Sequence, residues 1–219
     1  MGNREYRVSI PRCLNRSLGI DIGLESFATL STGEQIENPR FLRQSEDDLA
    51  KAQQRLSTKK RGSGKRRKQK KIVSRIHRKI QNQRKDHAHK LSNYLIERFD
   101  LIAVESLNVK GIQWSNLAKS ISDASWSTFI GILSYKAEEA GRKIVFVDPK
   151  YTSQDCSRCG HREAKELSER IHHCTRCGLV LHRDHNAAIN ILARPTPRLT
   201  IGISTYSAAV QRPPPESRR

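Results

Sequence analysis

Long apolar runs are missing from this sequence. No stretch approaches the roughly eighteen consecutive apolar residues of a membrane-spanning helix, and the opening MGNREYRVSIPRC has none of the apolar core of a secretory leader. Met1-Gly2 resembles the start of a myristoylation signal only superficially, because Tyr6 stands where Ser or Thr is wanted. A soluble, intracellular chain is expected. Aromatics are scarce, 5% of 219 residues, so the core has to rest on Ile, Leu, Val and Ala. Cysteine is limited to five residues, and a reducing compartment makes a disulfide framework an unsuitable reading of them. Four of the five cluster as two pairs, while Cys13 stands alone and is given no role. The length suits one fair-sized domain, or a domain with a small accessory module.

Acidic residues are almost absent from one long segment. Residues 51–90 hold 17 Lys or Arg against the single acid Asp86, a net of +16 out of a formal +19 for the whole chain. A short basic run is usually a solvated face. Forty residues carrying most of the molecule's charge repel one another unless a polyanion neutralises them. Nucleic acid is the expected partner, with an acidic membrane surface a distant second and no small-molecule substrate implied. The candidate phosphate contacts are Lys59, Lys60, Arg61, Lys65, Arg66, Arg67, Lys68, Lys70, Lys71 and Arg75.

What is present reads as an alternation of strands and helices. Leu18–Leu24, Phe27–Leu30 and Glu34–Ile36 form an expected antiparallel set, with a hairpin turn at Thr32-Gly33. A helix is expected from Glu46 to about Ser57, then a break at Gly-Ser-Gly within KKRGSGKRRKQKK. A second helix follows, with Ile72, Ile76 and Ile80 at i, i+4, i+8 and Leu91 and Leu95 continuing the stripe. Together they predict a helical hairpin over 46–99 with a basic, phosphate-binding tip. The strand LIAVE ends on Glu105, and a polar loop with Trp114 follows. Next come a helix from about Asp123 to Ala140, capped by Ser122 or Asp123, and the strand KIVFVD. The last helix is expected over Asp184–Ala193, and the Pro-, Ser- and Arg-rich residues 195–219 as a disordered tail.

The cysteine pairs are the most specific motif. Cys156-x-x-Cys159 and Cys174-x-x-Cys177, fourteen residues apart, have the spacing of a four-cysteine zinc ribbon, and a Gly follows each second cysteine. Four thiolates fill the shell, so the neighbouring His161, His172 and His173 are not required, and structural zinc is expected rather than a redox dithiol. The acids are weaker singly. Asp21 sits between Ile20 and Ile22, where a carboxylate is costly unless it pairs or binds metal. Glu105 ends an apolar strand, and Asp184 at a helix start reads as an N-cap or as a ligand. Together, two sheet-borne carboxylates and one at a helix start are what a two-metal phosphodiester site needs, with Mg²⁺ as the hard cation they suit. Three antiparallel strands, then helix, strand, helix, strand, is also the order of a ribonuclease-H-like domain. The expected fold class is thus α/β, a RuvC-type mixed sheet with a basic helical hairpin and an inserted zinc ribbon.

The stretches GIDIGLESFATLSTG, VESLNVKGI, LAKSISDASW, GRKIVFVDPKYTSQDCSRCG and CTRCGLVLHRDHNAAINILA resemble the TnpB (OrfB) proteins of insertion sequences. These are compact RNA-guided nucleases related to type V CRISPR effectors. The resemblance covers residues 17 to 193. It implies a RuvC-like nuclease domain over 17–151 and 182–194, interrupted by a zinc ribbon over 152–181, with Asp21, Glu105 and Asp184 as catalytic, Mg²⁺-holding carboxylates. It also implies Zn²⁺ on Cys156, Cys159, Cys174 and Cys177, DNA and a guide RNA as partners, and a bacterial or archaeal cytoplasm with association to the nucleoid. One departure stands out. Family members of full length reach the first catalytic Asp after N-terminal recognition modules, whereas here it is residue 21 and residues 1–16 are expected to be one remnant strand. A truncated relic, an internally initiated product and a reduced form with other partners all fit that departure. A nucleic-acid-binding regulator without catalysis is the alternative function.

Overall fold

The computed structural model describes residues 16–106, 123–164, 166 and 169–194. The expected N-terminal strand, the Trp114 loop, Cys13 and the disordered tail lie outside the described residues. The central strand β1 (Ser17–Ile22) is the most apolar of its sheet, and it has neighbours on both edges. It pairs antiparallel with β2 (Ser26–Leu30), which pairs antiparallel with β3 (Gln35–Glu37). On its other edge β1 runs parallel to β4 (Leu101–Glu105), and β4 runs parallel to β5 (Lys143–Val147). The order β3-β2-β1-β4-β5 is the mixed five-stranded sheet of the ribonuclease-H-like expectation.

Strand side chains alternate between faces, so β1 and β4 divide their residues cleanly. Leu18, Ile20, Ile22, Ile102 and Val104 enter the main core with residues of α3 (Gly64–Arg98) and α4 (Trp126–Glu139), among them Leu91, Leu95, Phe129 and Leu133. The opposite face carries Ala103 and Val147, which meet Ile191 of α5 (Arg183–Ala193). Asp21 and Glu105 share this second face by the same alternation. A helix thus covers each side, as a parallel strand pair requires. No helix among the described residues is long and apolar enough to cross a membrane.

Between β3 and β4 the chain makes its helical excursion through α1 (Phe41–Gln44), α2 (Glu46–Ser57) and the 35-residue α3. The expected hairpin is present with two corrections. First, the tip is only 58–63: Ser63 caps α3 by accepting the Arg66 N–H at 3.1 Å, so Lys65 to Lys71 lie on the helix. Lys, Arg and Gln are good helix formers, and nothing beyond Gly64 stops them. Second, the stripe is not uniformly buried. Ile80, Leu91 and Leu95 are, but Ile72 is 44% exposed, because here α3 has only the small buried surface of α2, Leu49 and Ala52, to meet. A third difference concerns α4. It starts at Trp126, after Ser125 in the left-handed region (φ 54°), and no side chain caps it. Asp123 instead accepts from the Leu42 N–H at 2.9 Å and from Arg84 at 2.7 Å, joining α1 and α3 to the start of α4. Ser122 lies outside the described residues.

Candidate active site and metal centre

The parallel register decides where the first two candidate carboxylates meet. Ile20 pairs with Val104, so Asp21 and Glu105 follow one residue further along neighbouring strands, on one face of the sheet. The third arrives by helix. Asp184 lies in the first turn of α5, which runs over that face. Close approach of α5 depends on Gly19. A Cβ there would stand 2.1 Å from the Ala188 carbonyl oxygen and 2.9 Å from Leu192 Cβ, so only glycine lets the helix lie directly on the strand.

The three acids sense one another. Burial, then Glu105, then Asp184 push Asp21 up from its ordinary 3.8 to about 8, and Arg183 offsets part of this. Burial also raises Glu105, against the hydrogen bond it accepts from Thr152 and the charge of Arg194, while Asp148 adds to the rise. Arg183 Nε lies 3.6 Å from Asp184 Oδ1. Such a cluster is poorly compensated by its own residues and is the donor set a hard divalent cation takes. The reading of Asp184 as a helix cap is not what forms. His182 occupies the N-cap and no side chain caps the helix, leaving the Asp184 carboxylate in the first turn, where the helix dipole favours its charge.

The cysteines form a tighter group. All four Sγ atoms lie within 4.8 Å of one another, with Cys156–Cys177 at 3.6 Å and Cys159–Cys174 at 3.5 Å, and none is in a disulfide. A tetrahedral ion with metal–sulfur bonds of about 2.3 Å sets S···S edges of about 3.8 Å, so the donor set fits such an ion. Both pairs are built alike. Gly160 N–H donates to the Cys156 carbonyl at 2.8 Å and Gly178 N–H to that of Cys174 at 2.9 Å, with the two glycines at φ 70° and 69°. Left-handed backbone at these corners explains the glycine after each second cysteine. The strands β6 (Ile171–His173) and β7 (Val180–His182) pair antiparallel around the second knuckle. Burial opposes ionisation of Cys174, but the amides of Cys177 and Arg176 and the adjacent thiols bring it down to about 6. Cys177 is lowered by the Leu179 amide, yet burial and the three neighbouring thiols push it up to about 12. Opposite shifts are what four crowded thiols show when a cation is needed to hold them all as thiolates.

Nine of the ten candidate basic residues are exposed along the tip and the first turns of α3. Arg66 is the exception. Its guanidinium donates to the carbonyls of Leu56 (2.7 Å) and Lys59 (3.0 Å), closing the C-terminal end of α2.

Comparison with known proteins agrees with this arrangement. Residues 12–115 match the OrfB_IS605 family, described as a probable transposase, and residues 126–191 match the Cas12f1-like TNB domain. The chain belongs to the OrfB/TnpB family. It is 41% identical over 180 residues to a Streptomyces pristinaespiralis protein provisionally named an RNA-guided DNA endonuclease, covering 81% of this chain and 44% of that one. It is 29% identical over 213 residues to TnpB-like protein L79 of Acanthamoeba polyphaga mimivirus, covering 86% and 41%. The fold is similar to that of Cas12f1 in its complex with single-guide RNA and target DNA, with a TM-score of 0.58 and 18% identity over 80% of this chain and 49% of that one. The OrfB/TnpB chain described here spans less than half the length of these two sequence relatives.

Several residues of consequence were not apparent in the linear sequence. Thr152 donates its hydroxyl to Glu105, and Asn186 and Asn190 of α5 bind the backbone leading into the first cysteine knuckle. Two asparagines at i and i+4 within the alanine-rich run NAAIN were the available signal, since buried amides need partners. Gly19, inside an apolar strand, was the other.

Proposed function

We propose that this OrfB/TnpB chain is a transposon-associated DNA endonuclease that hydrolyses phosphodiester bonds at Asp21, Glu105 and Asp184 with Mg²⁺, and that Zn²⁺ on the four cysteines holds its ribbon together. In this reading 17–151 and 182–194 form the nuclease unit, and 152–181 is an insertion into it. The observation that carries it is the convergence of Asp21 and Glu105 on adjacent parallel strands beneath the first turn of α5, where Asp184 lies. Bound Mg²⁺ would supply an activated water and neutralise charge on the phosphate. The chain's own residues do the rest. Asp21 is central, flanked by the other two acids; Arg183 offsets part of their repulsion; Thr152 holds Glu105. The exposed cations of the α2–α3 hairpin bind phosphates without reading sequence. The names of its relatives support DNA as substrate and a guide RNA as partner.

The test is cleavage. Zinc-loaded wild-type protein with Mg²⁺ should cut single- or double-stranded DNA in the presence of co-purified RNA, and Asp21→Ala should not while still binding DNA. Absence of cleavage under every combination counts against the reading. A second reading is a nucleic-acid-binding protein without useful catalysis. It draws support from the spread of the acids, since among the described residues only the cysteines bring their ligand atoms within 4.8 Å of one another. DNA binding that is equal in EDTA and in Mg²⁺, with no cleavage, would favour it.

A further inference from the structure

The segment between β5 and β6 leaves the sheet beside one candidate carboxylate and enters the first cysteine knuckle within a few residues. Thr152 sits in it, 4% exposed. Its hydroxyl reaches two acceptors, Glu105 Oε1 and the Pro149 carbonyl at 3.0 Å. Its own carbonyl accepts from Asn190 Nδ2 at 2.8 Å, and the same amide donates to the Asp155 carbonyl at 2.6 Å. One helical turn earlier, Asn186 Nδ2 donates to that Asp155 carbonyl at 2.8 Å. Asn186 Oδ1 accepts the N–H of Ser157 at 2.9 Å, the residue directly after Cys156. Arg194, just past the end of α5, adds a bond to the Asp148 carbonyl at 2.6 Å. A continuous chain of hydrogen bonds thus runs from Cys156 through two side chains of α5 to the carboxylate of Glu105.

We infer that Thr152 is a positioning residue for Glu105, and that Asn186 and Asn190 couple its placement to the closed state of the first cysteine knuckle. The inference rests on Glu105 serving as a metal-holding carboxylate. Three features favour positioning over mere structural support. The hydroxyl points at a carboxylate oxygen rather than only at backbone, so it restricts the rotation of the side chain that has to face the cation. Both asparagines sit on the helix that carries Asp184, so the clamp sets the second and third carboxylates relative to one another. Asn186 is fully buried with both ends of its amide engaged, so it cannot adjust without breaking a bond on one side. Partners behind a metal-binding carboxylate typically change metal affinity by about 10–100-fold when lost. Coupling between two sites is reciprocal, so a knuckle closed by its metal strengthens cation binding at the carboxylates.

The experiment measures Mn²⁺ binding to the zinc-loaded full chain by calorimetry, comparing wild type, Thr152→Val, Thr152→Ser, Asn190→Ala and Asp21→Ala, with zinc content and melting temperature recorded for each. Thr152→Val keeps shape and loses the hydroxyl, so it should weaken Mn²⁺ binding about tenfold with zinc content unchanged, and Thr152→Ser should restore it to within about twofold. Asn190→Ala should weaken it in the same direction, and DNA affinity in EDTA should not move in any of them. Asp21-dependent Mn²⁺ binding that is wild-type in Thr152→Val overturns the positioning role alone. Weakening in Thr152→Val without weakening in Asn190→Ala overturns the coupling to the knuckle. Mn²⁺ binding that survives Asp21→Ala unchanged overturns the carboxylate site, and this inference with it. Should Thr152→Val lose zinc or melt far below wild type, Thr152→Ala and Thr152→Ser are compared in its place, with the same expected loss and rescue.

Discussion

Replacing Asp21 with Asn should make the Mg²⁺-free protein more stable while destroying its function. The side chain is nearly isosteric, so the difference is the charge. Asp21 titrates at about 8 in the folded chain instead of 3.8, chiefly because it is buried and secondly because Glu105 and Asp184 lie near. A raised carboxylate means the unfolded chain releases this proton more readily than the folded one. The penalty is absent below pH 3.8, grows as pH rises between 3.8 and about 8, and is complete above that. Each unit is worth about 1.4 kcal/mol, which sets a ceiling of roughly 6 kcal/mol. Asp21 keeps some solvent contact, and relaxation around a charge lowers such penalties, so about 2–4 kcal/mol is the working figure. For a chain of this size that is a rise of roughly 5–12 °C in melting temperature. Thermal unfolding of zinc-loaded protein without Mg²⁺ at pH 8.5 and at pH 5 checks it, and the advantage of Asp21→Asn should shrink at the lower pH. Adding Mg²⁺ should then raise the wild type and leave the variant where it was. A variant less stable than wild type at pH 8.5, or one that still gains from Mg²⁺, would refute the reasoning.

Four further outcomes are expected. Cys174→Ser should release zinc and unfold the ribbon, because metal binding and folding are one event in so small a module; metal analysis and proteolysis between residues 152 and 181 report it. Changing Lys65, Arg67 and Lys68 to Gln should weaken nucleic-acid binding at all sequences alike and flatten its salt dependence by about 0.9 per lost duplex contact, whereas Arg66→Gln should lower stability instead, since Arg66 closes α2. Gly19→Ala should destabilise by about 3 kcal/mol and abolish cleavage, because the new methyl meets the Ala188 carbonyl and lifts α5 with Asp184; denaturant unfolding and a cleavage assay measure both. Asp184→Asn should lose cleavage with the helix intact by circular dichroism, because that side chain caps nothing, and wild-type activity would remove Asp184 from the site.

The strand order, the ribbon and the basic excursion were legible in the linear chain because each is written in neighbouring residues. LIAVE can hardly be anything but a buried strand, and two C-x-x-C-G corners carry their own turn geometry. Helix ends were less legible. Asp123 and Asp184 both look like caps by type, yet Asp123 is drawn to Arg84 and to the Leu42 amide, and Asp184 stands two residues inside its helix. Long-range partners outcompete local ones there, and no local pattern records them. The stripe of α3 misleads at Ile72 for a related reason, since periodicity says which face is apolar but not whether anything covers it.

By itself, then, the order of residues determined the local pieces: the apolar strands interrupted by a carboxylate, the cysteine corners, and the one segment of concentrated positive charge. These depend on side-chain type and short spacing alone. Only the tertiary structure decided that Asp21 and Glu105 would be neighbours on one face, through the parallel register of β1 and β4. It alone decided that α5 would lie on Gly19, that Arg66 would serve the fold, and that Thr152 and two asparagines would link a cysteine knuckle to Glu105. Each of these joins groups far apart along the chain. Their distance is set by how whole elements stack, and that follows from burying all the apolar faces together.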